Sequence, residues 1–274
     1  MRDAASIIHS FAGMRALVLG EAMLDRYSTG VGKRICPEAP VPVIDNCSTV
    51  NFAGGAANTA VNLRSLGAAV TFLSVAGSDA EGAVLQEILE RHEIDLPGLR
   101  IAPERRTLCK HRVLASAQMM LRFDQGTTTA ISDDVESQLV RDLERLGRHA
   151  DLIVVSDYNY GVITPRVVAT LGALRRDGSQ VLAVDSRRLP QFRQLGATVV
   201  KPNFAETLAL LGDATAEPAE RRDYVLARGA EILRRSGAQI AAVTLDEDGA
   251  VVLERNAAPY RTAATPAPNN QAGG

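Results

Sequence analysis

Leu152-Ile153-Val154-Val155 is apolar at every position, and Ser156-Asp157-Tyr158 follows it directly. A strand exposed on one face alternates apolar and polar residues. An unbroken apolar run of this length reads instead as a parallel strand covered on both faces. The polar triplet then falls at the strand's carboxyl end, where open α/β sheets bind their ligands. The same two-part pattern recurs along the chain. Residues 16–20 (ALVLG) lead to Asp25, 181–184 to Asp185, 198–200 to 201–206 (KPNFAE), and 240–244 to 246–249 (DEDG). Residues 70–76 (VTFLSVA) form a further strand.

Helical spacing fills the gaps between these strands. Residues 56–66 (AANTAVNLRSL) stop at Gly67, a C-cap. Residues 81–91 place Leu85, Ile88 and Leu89 on one face. A helix over 133–146 takes Ser132 or Asp133 as its cap. Residues 165–176 begin with Thr164 as N-cap and Pro165 at the first helical position. A short helix ends at 211, and a single long one is expected over 219–235. This alternation predicts an α/β fold with a doubly wound, mainly parallel sheet.

Two stretches break the rhythm. Residues 27–52 carry Pro37, Pro40 and Pro42 between β-formers, and 107–124 reads as a hairpin turning near 116–118. Both predict strands outside the main sheet, a small β lid. Residues 1–14 read as an N-terminal extension, and 15–274 as one domain.

Composition narrows the functional classes. The 274 residues are 46% hydrophobic and 23% charged, with a formal net charge of -2. That balance gives no electrostatic reason to expect nucleic acid or an anionic membrane as partner. Three widely spaced cysteines fit a reducing cytoplasm better than a disulfide framework and show no metal-ligand spacing. No apolar run approaches the roughly 20 residues that span a bilayer, and residues 1–14 lack the apolar core of a secretory signal. A cytoplasmic protein is expected.

Several clusters bear chemistry. Gly54-Gly55-Ala56-Ala57-Asn58 opens a helix. Paired glycines admit close approach of a ligand to free N–H donors, although a tight loop-to-helix turn needs the same residues. Asp25 is placed to accept sugar hydroxyls, or reads as a solvated loop carboxylate. Lys110 and Arg112 alternate with His111, so they share one strand face, and Arg122 lies on the partner strand; together they suit a phosphate. Asn203 and Glu206 flank a helix start and suit a hydrated Mg²⁺, or simply cap the helix. The histidines show no metal set, and no nucleophile elbow is present.

Together these segments resemble the ribokinase-like (PfkB) sugar kinases. Within them the chain is most similar to the D-glycero-β-D-manno-heptose 7-phosphate kinases, including the kinase half of bifunctional heptose kinase/adenylyltransferases. The strings that carry the likeness are GEAMLDRY, PEAPVPV, GGAANTAVNLRSLGA, CKHRVL, LRFD, SDYNYGVIT, VDSRR, KPNFAE and VTLDEDG. The resemblance implies ATP and Mg²⁺ as cofactors and phosphorylation of the sugar phosphate at its 1-hydroxyl. Asp25, Gly54, Gly55 and Asn58 would line the sugar site. Lys110, Arg112 and Arg122 would face the sugar and its 7-phosphate from the lid, and Asp157 would border the cleft. Asp185, Asn203, Phe204, Ala205, Glu206, Thr244 and Gly249 would meet ATP, with Glu206 tied to the metal through water. Lid strands would also form a homodimer contact.

Three departures stand out. Tyr160 occupies a position where the heptose kinases carry lysine. Asp246 replaces a glycine or small residue. The family's G-A-G-D motif aligns only as far as Gly273 and Gly274, the start of its anion hole. Its catalytic aspartate would lie beyond Gly274, so the resemblance implies a truncated and inactive kinase. Another PfkB kinase, for a free sugar or a nucleoside, and a non-catalytic sugar-phosphate-binding remnant are the alternatives.

Overall fold

The computed structural model describes residues 4–116, 118–177, 180–216 and 220–264. The chain divides into two compact units, Met1–Gly178 and Ser179–Gly274. The first opens with a short helix, α1 (Ala4–His9), and then strand β1 (Arg15–Gly20). Four parallel strands form its sheet, in the order β8 (Leu152–Asp157), β1, β4 (Ala69–Gly77) and β5 (Asp95–Ala102). Leu17, Leu19, Phe72, Leu73 and Ile153 are fully buried on these strands. Each such side chain contributes roughly 1.5–3 kcal/mol of hydrophobic stabilisation. The unbroken apolar run at 152–155 is thus a buried parallel strand, as its composition predicts.

Helices α2 (Ala56–Ser65), α3 (Ala80–Arg91), α4 (Asp133–Gly147) and α5 (Pro165–Asp177) lie within a few residues of their expected bounds. α3 buries Leu85, Ile88 and Leu89, and its N-cap Asp79 accepts the Gly82 N–H at 2.8 Å. In α4, Ser132 is the N-cap residue without a capping bond; its hydroxyl donates to Glu104 instead. Thr164 does cap α5, accepting the Val167 N–H at 3.2 Å.

The lid is larger than its proline-marked core suggested. Strands β2 (Ala22–Ile35) and β3 (Pro42–Gly55) form a long antiparallel hairpin. β6 (Leu108–Ala115) pairs parallel to β2, and β7 (Gln118–Gln125) returns antiparallel to β6. The order is β3-β2-β6-β7, a sheet separate from the main one.

In the second unit β9 (Val181–Ser186), β10 (Val199–Val200) and β11 (Ile240–Thr244) run parallel, and β12 (Ala250–Glu254) and β13 (Tyr260–Thr262) extend them antiparallel. Helix α6 is Phe204–Leu211. The long helix expected over 219–235 is two, α7 (Arg221–Ala227) and α8 (Gly229–Ser236), broken at Arg228. At the break a Cβ on Gly229 would stand 3.0 Å from Leu253, so the new helix begins where its backbone comes close to β12. β5 also escaped the sequence reading. Pro97-Gly98 sits inside it, and a proline is tolerated because β5 is an edge strand with a register shift at that point.

Candidate functional site

The first unit gathers its charged candidates on one face of the lid. Strand pairing places Asp25 opposite Lys110, and Lys110 opposite Asp124. The next row on the same face is Tyr27, Arg112 and Arg122. Four of the predicted residues, Asp25, Lys110, Arg112 and Arg122, therefore meet. Asp25 is not a solvated loop carboxylate: it lies within β2, and its Oδ1 accepts from Arg112 Nη1 at 2.7 Å. The guanidinium is almost wholly buried and lies 5.0 Å from the Tyr27 ring centroid.

The three cations differ in what holds them. Arg112 is committed to Asp25. Arg122 forks onto Asp124, with Nε and Nη2 donating at 3.0 and 2.8 Å. That bond holds the Asp124 carboxyl below its usual range. Lys110 makes no ion pair among the described residues. Its ammonium stands 5.2 Å from the Tyr158 ring centroid, and burial pushes its pKa down. A half-desolvated cation without a carboxylate in contact is the one best disposed to take an incoming anion.

Gly54 and Gly55 sit where β3 passes into α2. A Cβ on Gly54 would come within 2.5 Å of Asp25 Oδ2, so only glycine leaves the Asp25–Arg112 pair undisturbed. Gly55 has φ of 57°, the left-handed region that glycine adopts without cost, and is the N-cap of α2 without a side-chain cap. Asn58 is exposed on the first turn and accepts from Asn62 at 3.3 Å. Asp157 is buried at the end of β8, and its Oδ1 accepts the Asn159 N–H at 2.9 Å.

One buried carboxylate beside this site went unread in the sequence. Glu21 is fully buried between β1 and β2. It accepts the N–H groups of Tyr158 (2.7 Å), Tyr160 (3.2 Å) and Val162 (3.4 Å). The available signal was a lone carboxylate between Gly20 and Ala22-Met23-Leu24, directly after a buried strand. Burial raises its carboxyl from 4.5 to about 6, with Asp157 adding to the effect and the three N–H groups opposing it. The difference is worth about 2 kcal/mol between protonation states. The folded protein thus binds this proton more tightly than the unfolded chain. The stability gained is full below pH 4.5 and lost as pH rises through about 6. Moving from pH 7 to pH 5 should therefore stabilise the native protein by about 1 kcal/mol relative to Glu21→Gln, in paired urea unfolding curves. A pH-independent difference would contradict the assignment.

The second unit carries its own cluster. Asn203 and Glu206 form a reciprocal capping box at α6: the Glu206 N–H donates to Asn203 Oδ1 at 2.8 Å, and the Asn203 N–H to Glu206 Oε2 at 2.9 Å. Burial raises the Glu206 pKa, with Asp185 contributing in the same direction. Asp185 pairs with Lys201 Nζ at 2.9 Å. Phe204 packs edge-on to Tyr224 beneath the Arg221 guanidinium, and Ala205 is exposed. Thr244 bridges Asn203 in parallel register. The Gly249 carbonyl closes the following turn on the Leu245 N–H at 2.8 Å. Asp246 has φ of 53°, a conformation at home with glycine and tolerated by aspartate. Its side chain points to solvent, 85% exposed, and pairs with Arg221 at 3.2 Å.

No cluster of three His, Cys, Asp or Glu side chains able to cage a metal occurs among the described residues. The acidic groups of the second unit suit a hydrated Mg²⁺ carried on phosphates, which needs few protein ligands. Gly273 and Gly274 lie outside the described residues. No helix among the described residues is long and apolar enough to cross a membrane.

Residues 15–270 match the family described as "pfkB family carbohydrate kinase". The chain is 36% identical over 249 residues to "Bifunctional protein HldE" of Geobacter sulfurreducens, covering 90% of this chain and 50% of that protein. It is 35% identical over 254 residues to the protein of the same name from Pelobacter propionicus, covering 93% and 51%. The chain thus spans about half the length of the curated relatives it matches. Among solved structures, phosphofructokinase-2 from Escherichia coli, in complex with substrates and products, superposes with a TM-score of 0.72 at 21% identity, over 93% of this chain and 80% of that one. A carbohydrate kinase from Agrobacterium tumefaciens superposes at 0.64 and 21% identity, over 89% and 74%.

Proposed function

Since the chain belongs to the pfkB family of carbohydrate kinases, we propose that it serves in the ATP-dependent phosphorylation of a sugar phosphate, D-glycero-β-D-manno-heptose 7-phosphate at its 1-hydroxyl. The observation that carries this reading is the lid face on which Lys110, Arg112 and Arg122 converge beside Asp25. Lys110 supplies the charge for the 7-phosphate, with Arg122 next to it. Asp25, held by Arg112, accepts sugar hydroxyls; Gly54, Gly55 and Asn58 line the sugar beside it, and Asp157 borders the cleft. The bifunctional relatives and the strings PEAPVPV and GGAAN support heptose within the family.

Mg-ATP is assigned to the second unit. Bound there, the nucleotide would supply the phosphoryl group and carry the metal that neutralises its charge. Glu206 would reach Mg²⁺ through water. Asp185, Asn203, Phe204, Ala205, Thr244 and Gly249 would lie along the nucleotide. A second copy of the chain is the proposed partner, through the lid edges, where Val50, Phe52, Met119 and Leu121 are exposed.

Titration calorimetry tests the assignment. Heptose 7-phosphate is expected to bind at least about tenfold more tightly than unphosphorylated heptose, as one charge-assisted contact requires, and Mg-ATP to bind separately. Equal affinity for both sugars, or preference for a nucleoside, would move the chain to another pfkB substrate. Sugar-phosphate binding without any nucleotide binding would point to a non-catalytic role.

A further inference from the structure

The 158–162 segment that follows β8 is held from both sides by buried charge. Glu21, with no exposed surface, takes three of its N–H groups, from Tyr158, Tyr160 and Val162. Arg105, 7% exposed, donates Nη2 to the Tyr160 carbonyl at 3.2 Å, while its other bonds run to the carbonyls of Thr127 and Thr129. A cavity of about 10 Å³, about the size of one water, is lined by both residues. Asn159 between the anchored residues has φ of 62°, a left-handed turn that asparagine adopts readily, and its N–H donates to Asp157 Oδ1. Two ionised side chains buried on one loop backbone are costly unless every polar atom is engaged, and here they engage the loop.

What that loop presents is aromatic. The Tyr158 ring stands 5.2 Å from the Lys110 ammonium, and the Tyr160 ring stacks on Tyr158 with centroids 6.4 Å apart. The Lys110 ammonium makes no ion pair among the described residues; Asp25 and Asp124 stand opposite it in register, and Tyr158 is the aromatic ring it contacts from outside the lid strands. We infer that Glu21 and Arg105 are positioning residues which, by clamping the 158–162 backbone, set the Tyr158 ring under Lys110 and thereby set the affinity of the lid for a phosphorylated sugar. This rests on the sugar-phosphate reading above, and it adds two residues that never touch the sugar.

Three readouts on the full chain test it, using wild type, Glu21→Gln and Glu21→Asp. In wild type the amides of Tyr158, Tyr160 and Val162 are expected to exchange hydrogen only with global unfolding. In Glu21→Gln they should exchange at least about a hundredfold faster, as loss of charge-assisted bonds demands. The ring-current-shifted Lys110 13Cε resonance should move toward its free value at the same time. The affinity for heptose 7-phosphate should fall about tenfold while that for Mg-ATP stays unchanged. Glu21→Asp should restore part of each effect. Rapid exchange of these amides in wild type, or protected amides and an unmoved Lys110 signal in Glu21→Gln, would overturn the clamp; the wild-type arm decides even if the variant does not fold. Loosened amides with unaltered sugar-phosphate affinity would overturn its role in binding. Failure of wild type to bind any sugar phosphate would instead strike the functional reading, and is seen in a separate titration.

Discussion

Arg112→Ala should cost about 3 kcal/mol of stability in urea unfolding, the penalty for stripping the partner from a largely buried carboxylate. The Arg112 side chain is 9% exposed and that of Asp25 20%, and their 2.7 Å bond joins strands β6 and β2. Removing the guanidinium leaves Asp25 charged beside Tyr27 with no other ion-pair partner among the described residues. It also ends the contact of the cation with the Tyr27 ring, worth about 0.5–2 kcal/mol in its own right. Asp25→Asn is the informative companion. It discharges the carboxylate yet leaves an acceptor for Arg112, so it should destabilise less. An Arg112→Ala midpoint within error of wild type would show that the pair is not part of what holds the lid together.

Lys110→Ala should leave the fold nearly intact and act on binding. The affinity for the phosphorylated sugar is expected to fall by about 10- to 100-fold, the range for one charge-assisted contact. Affinity for the same sugar without its phosphate should not change. The reasoning is a comparison among three cations on one face. Arg112 and Arg122 already spend their charge on Asp25 and Asp124, whereas Lys110 is half-buried and lowered in pKa by desolvation. An anion arriving at Lys110 displaces no existing ion pair. If Arg122→Ala proves far more damaging than Lys110→Ala, the phosphate has been assigned to the wrong cation.

How much of this was legible beforehand varies by cause. Strands β1, β4 and β8 and helix α5 could be read because local pattern and burial agree: apolar runs inside a parallel sheet, and a Thr-Pro start for the helix. β5 could not, because Pro97-Gly98 argues against a strand and only its edge position permits one. The stretch 219–235 is rich in helix formers apart from Gly229, a glycine that a helix tolerates, so the break at Arg228 was read through; its packing reason, the approach of Gly229 to Leu253 of β12, lies in no local window. In the site, period-two alternation was enough to put Lys110 and Arg112 on one face. It was not enough to reveal that Arg112 is neutralised by Asp25, since that pair joins residues 87 apart through the parallel β2–β6 register. The capping role of Glu206 was visible as a spacing. Glu21 was hidden for a different reason: its partners are backbone N–H groups more than a hundred residues away, and such donors leave no residue-type signature.

The central claim is that the lid face of the first unit receives the phosphate of a phosphorylated sugar, and a crystal structure of the chain with D-glycero-β-D-manno-heptose 7-phosphate tests it most directly. The account predicts the phosphate oxygens in ion-pair contact, within about 4 Å, of Lys110 Nζ, with the Asp25–Arg112 bond still formed and a sugar hydroxyl on Asp25. Phosphate bound at the Asp185–Lys201 pair, or a sugar phosphate seated with Lys110 still facing only Tyr158, would contradict it.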